Sequence, residues 1–105
     1  MYVVSVTFGR NVGTTPMSDV RWSTFEDEVR EYLSSGMQSD DAIEIHHGTG
    51  VWDGVEEEST KITLLTNSTL PYGTIGLREF LSDLARRYDQ DAIALTVGES
   101  ELVTS

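Results

Sequence analysis

From Tyr2 to Phe8 the chain alternates, with Tyr2, Val4, Val6 and Phe8 on one face and Val3, Ser5 and Thr7 on the other. That period of two is the signature of a half-buried strand. The next ten residues, GRNVGTTPMS, are rich in Gly, Thr, Asn and Pro and read as a loop. The period then lengthens. Trp22, Phe25, Val29, Tyr32 and Leu33 recur at helical spacing behind Ser18, a good N-cap, and Gly36 is placed to end the helix. Glu26 and Arg30 stand four apart and can pair on its outer face.

Ala42 to Asn67 predicts a long β-hairpin turning at Asp53-Gly54, because both central residues of a two-residue type I′ turn need φ > 0 and these two tolerate it. With that turn, Trp52 lies opposite Val55, Ile45 opposite Ile62 and Ile43 opposite Leu64. A one-residue slip would face Ile45 with a polar residue, so turn chemistry and hydrophobic pattern select the same register.

NSTLPYGTIG reads as a second loop, with Thr74 or its neighbour capping a second helix. In that helix Leu77, Phe80, Leu81, Leu84, Ala85 and Tyr88 form one stripe, and Arg86 and Arg87 suit its C-terminal end. Alternation returns over Ala92–Val97. The order β-α-β-β-α-β predicts an α+β, ferredoxin-like domain: a four-stranded antiparallel sheet with two helices on one face. A chain of 105 residues fits one such domain. The opposite face, carrying Val3, Ser5, Thr7, Glu44, His46, Lys61 and Thr63, is left open, where such folds bind ligands or form homodimers.

Charge narrows the choice of partners. With 18 acidic and 7 basic residues the formal net charge is −11. Nucleic acid and anionic membranes are disfavoured, since both are bound by basic side chains. A protein partner with a basic surface is the expected counterpart. The sequence contains no cysteine, which excludes disulfides and thiolate chemistry. Strand pattern starts at once, without a basic, apolar leader or a membrane-length run, so a cytoplasmic location is expected.

Candidate chemistry gathers in the hairpin. His46 and His47 invite a metal or general-base role, but neighbours on a strand point to opposite faces, and Glu44 with His46 makes two ligands where zinc takes three or four. No metal and no cofactor are therefore expected. Glu56, Glu57 and Glu58 alternate in the same way, so they form no three-carboxylate cage; they could meet a cation or a basic partner. Trp52, beside Asp53 at the turn, is a large aromatic that must either fold back on the sheet or anchor an interface. Gly48-Thr49-Gly50 lacks the Lys-Ser/Thr of a phosphate loop.

No catalytic residue set emerges, and the sequence names no reaction. The first expectation is a non-enzymatic protein-interaction module using the acidic surface and the Trp52 arm. The alternative is a small-ligand-binding domain or enzyme whose pocket lies between the loop carrying Arg10 and the Gly48–Trp52 segment.

Taken together, F-G-R ending the first strand, W-x-x-F-x-x-E-V (Trp22, Phe25, Glu28, Val29), G-x-G-x-W (Gly48, Gly50, Trp52), E-S-T-K-I and a late R-Y-D-Q resemble an uncharacterised family of small bacterial proteins known as a domain of unknown function. The resemblance implies an α+β layout and pairs the F-G-R strand end with the G-x-G-x-W turn as one unit. It implies no reaction. Small size and acidity also fit a phage or mobile-element accessory protein or inhibitor.

Overall fold

The hairpin turns where its sequence requires: in the computed structural model Asp53 has φ 49° and Gly54 φ 77°. The structure describes residues 1–67 and 73–104. Its elements are β1 (Tyr2–Gly9), β2 (Asn11–Val12), β3 (Thr15–Pro16), α1 (Asp19–Ser34), β4 (Ala42–Trp52), β5 (Val55–Thr66), α2 (Gly73–Arg87) and β6 (Ala94–Glu99). Four of the strands make one antiparallel sheet in the order β4-β5-β1-β6. The expected pairs Trp52↔Val55, Ile45↔Ile62 and Ile43↔Leu64 all form. The fold is ferredoxin-like α+β.

Strand pairing sets the two sides of the sheet. Val4, Val6, Phe8, Ile62 and Leu64 face a core closed by Trp22, Phe25, Val29 and Leu33 of α1 and by Leu77, Leu81, Leu84 and Tyr88 of α2. Phe25 is its centre: its ring stacks on Phe8 at 4.6 Å and lies 4.5 Å from Tyr88 and 5.9 Å from Trp22. Tyr2 shares this face but is 48% exposed, because the core does not extend to the strand's first residue.

Several details depart from the pattern-based expectations. The Gly/Thr/Pro loop after β1 contains the two-residue ladder β2–β3, turned through Gly13 at φ 61°. Arg30 pairs with Asp27 rather than Glu26, which instead faces the sheet. Helix α2 starts at Gly73, so Thr74 to Gly76 are helical and not loop; the remainder of that loop, with Pro71, lies outside the described residues. The last strand begins two residues late, at Ala94. The first helix does start and stop as expected: Ser18 accepts the Arg21 N–H, and Gly36 follows the end with φ 86°.

Truncating Phe25 to Ala should cost about 3–5 kcal/mol, as for a fully buried aromatic. Urea unfolding followed by fluorescence checks it. A shift below about 1 kcal/mol would show that the aromatic cluster is not what joins sheet to helices.

Candidate functional site

Beyond Ser59, β4 and β5 run past the body of the sheet as an arm, and the end of β1 is tied to that arm. The Arg10 N–H donates to the Glu58 carbonyl at 2.9 Å. Each nitrogen of the Arg10 guanidinium is engaged: Nε donates to the Met17 carbonyl (2.8 Å), Nη1 to Glu58 (2.9 Å) and Nη2 to Asp19 (2.5 Å). Asp19, then Glu58, hold it above the ordinary guanidinium range. Arg10 is thus a clamp joining arm, loop and α1.

Alternation places Glu57 on the other side of the arm. Its Oε2 accepts the Asn11 N–H at 2.6 Å, and its carboxylate lies against Gly9, occupying the space a Cβ there would need. Only glycine at position 9 allows that approach. Trp52 folds back over Gly50, its indole N–H directed to Ser59 Oγ at 3.4 Å. So Gly9, Glu57, Gly50, Ser59 and Trp52 form one packed surface, which links the F-G-R strand end to the G-x-G-x-W turn through β5.

The opposite wall comes from the end of α2. Asp89 takes φ 54°, reversing the chain, and the Gln90 N–H closes the turn on the Ala85 carbonyl. Arg21 holds this turn through Asp89 Oδ2 and the Arg87 carbonyl, both at 3.1 Å. Gln90 Nε2 donates to the Asn11 carbonyl at 2.9 Å, joining the turn to the end of β1. Beneath it, the Tyr88 hydroxyl donates to Glu28 at 2.5 Å while Arg87 binds the other Glu28 oxygen at 2.9 Å. Burial first, and that carboxylate second, push the Tyr88 phenol up to about 12.

Between the walls is a pocket of about 270 Å³ lined by Asn11, Gly13, Trp52, Asp53, Val55, Glu57, Asp89, Gln90, Asp91 and Ala92. Four of its residues carry carboxylates and none is basic. Its volume sits just below the roughly 300–1,000 Å³ usual for ligand pockets.

The candidate residues therefore separate. Trp52, Asp53 and Glu57 line this pocket. Arg10 and Glu58 bind each other, and Glu56 lies on the helix side of the arm opposite Val51. His46 pairs with Glu44 at 3.3 Å on the open side of the sheet. His47 lies on the helix side, 3.2 Å from Glu26 Oε1, which also accepts the buried Thr60 hydroxyl at 2.5 Å. Neither histidine reaches the pocket, and among the described residues no three His, Asp or Glu side chains are grouped to hold a metal. Asn11, Asp89, Gln90 and Asp91 had no assigned role in the sequence, although the R-Y-D-Q motif contains two of them.

The sequence matches no family model and no curated protein. Solved structures do match. A phage SAM lyase in complex with S-methyl-5′-thioadenosine superposes with a TM-score of 0.60 at 17% identity, over 93% of this chain and 80% of that one. The apo state of a phage SAM lyase gives 0.55 at 16% identity, over 92% and 78%. CutA1 from Pyrococcus horikoshii gives 0.47 at 17% identity, over 99% and 87%. These likenesses are of fold. No helix among the described residues is long and apolar enough to cross a membrane.

Two measurements check the site. Gly9→Ala should fold with little loss of stability, because the atoms in the way are the far end of a flexible side chain, yet Glu57 must leave the Asn11 N–H. The Asn11 amide resonance should then move strongly, and an unmoved resonance would refute the close packing. In an absorbance titration one tyrosine should ionise near pH 12, and Glu28→Gln should bring it down towards the ordinary range. The sign follows: Tyr88 is raised, so its contribution to stability is complete below an unfolded value of about 10 and is lost as pH rises through about 12.

Proposed function

We propose that this chain is a small-molecule-binding domain whose pocket takes an organic cation carrying a flat ring. The supporting observation is the pocket's lining: Asp53, Glu57, Asp89 and Asp91 beside the Trp52 indole, with no basic side chain. Carboxylates favour a positive centre, and an aromatic face attracts it and stacks on a ring. Phosphate-bearing ligands are disfavoured, because the guanidinium groups beside the pocket are already held by carboxylates: Arg21 by Asp89, and Arg10 by Glu58 and Asp19. The fold shared with a phage SAM lyase supplies the first probe, since SAM joins a sulfonium cation to an adenine ring. A role as a phage accessory protein belongs to this same proposal.

A second reading rests on a different observation. Val51 is 65% exposed at the arm's tip on the helix side, opposite Glu56, which suits contact with a protein bearing an apolar patch rimmed by basic residues. In that case the arm acts as the binding element of a non-enzymatic module.

Calorimetric titration with SAM and with neutral S-methyl-5′-thioadenosine tests the first reading. SAM should bind, more weakly as salt is raised, and the neutral compound should bind at least about tenfold more weakly. Glu57→Gln and Trp52→Ala should each remove binding, while Glu56→Gln, on the other side of the arm, should leave it intact. Equal binding of both compounds, or no binding of SAM, would overturn the proposal.

A further inference from the structure

The two sides of the sheet differ sharply in charge. On the side away from the helices the strands carry only Glu44, Glu57 and Lys61 as formally charged residues, a sum of −1 against −11 for the whole chain. The part formed by β1 and β6 carries none: its residues are Val3, Ser5, Thr7, Ala94, Thr96 and Gly98. Ser5 and Thr63 satisfy each other across the strands at 2.9 Å, so these two hydroxyls at the centre of the face are already paired.

We infer that this open side is where a second copy of the chain packs. Self-association of an acidic protein is opposed by its own charge. Screening at physiological salt reaches about 8 Å, so the charges that decide are those close to the contact. An approach by the helix side or the arm's Glu56 and Glu58 brings carboxylates together; the β1–β6 part of the open side does not. A basic partner would be drawn to those carboxylates instead, which leaves the neutral face to a partner as neutral as itself, and depletion of charge marks interface centres.

The few charges that remain on this side complement one another. Lys61 is exposed and has no ion pair among the described residues, while Glu44, nearby on β4, contacts only His46. In a twofold arrangement the same patch meets itself, so Lys61 of one copy can take Glu44 of the other, twice.

The experiment is sedimentation of the full-length chain without ligand, which keeps it separate from the binding proposal above. The wild type should sediment at a multiple of its 11.7 kDa. Thr96→Glu, a charge placed on the exposed neutral face, should weaken association at least tenfold, and so should Lys61→Glu. Combining Lys61→Glu with Glu44→Lys should restore it, whereas Val20→Glu, on an exposed position of α1, should change nothing. Circular dichroism confirms that each variant is folded. A monomeric wild type would overturn the inference and leave the face to a different partner; association untouched by Thr96→Glu, or no rescue in the double exchange, would overturn the placement.

Discussion

The register fixed at Asp53-Gly54 is the constraint on which the rest depends. Both residues accept a left-handed backbone, so the arm closes with Trp52 opposite Val55, and every pair back to the body of the sheet follows. The same count sends Ile62 and Leu64 into the core and Glu57 with Trp52 to the opposite side. A slip by one residue would invert both assignments together. Core and pocket are therefore not separate problems for this sequence; one turn settles the two.

A second economy lies in the basic residues. Arg10, Arg21, Arg30, Arg86 and Arg87 are all in ion pairs, and three of them join segments distant in sequence: Arg10 ties Asp19 to Glu58, Arg21 holds Asp89, and Arg87 holds Glu28. Exposed pairs of this kind add little stability singly. Their effect is positional, because they fix the end of β1, the arm and the α2 turn relative to one another. Of the carboxylates that no arginine takes, Asp53, Glu57 and Asp91 lie around the pocket between those three segments.

Most of the fold was legible in the sequence because it follows from periodicity and from a few residues with special backbone preferences. The hairpin register, the Ser18 cap and the Gly36 stop are of that kind. The pocket was only half legible. Trp52, Asp53 and Glu57 stand near one another in sequence, and the Arg10 loop was placed beside them, but the Arg10 side chain is turned to Glu58, Asp19 and the Met17 carbonyl and does not line the pocket. Asp89, Gln90 and Asp91 belong to the site only because α2 ends there and Asp89 reverses the chain, and no period or motif spacing encodes the packing of that turn against Asn11. The histidines follow from alternation: adjacency in sequence puts them on opposite sides of β4, where each meets a different glutamate.

Glu57 and Trp52 project on the same side of the sheet as the neutral face, and the pocket lies at the end of that side. A second copy seated on the face would stand next to the ligand's position, so occupancy of one should bear on the affinity of the other. The sign depends on charge. An empty pocket presents carboxylates to an incoming copy, and a bound cation neutralises part of them. Neutralisation removes repulsion at the very edge of the contact, so a cationic ligand favours association, and association in turn favours the ligand. The acidity that keeps copies apart elsewhere on the surface would then let a small molecule in the pocket tighten a contact that the neutral face already makes.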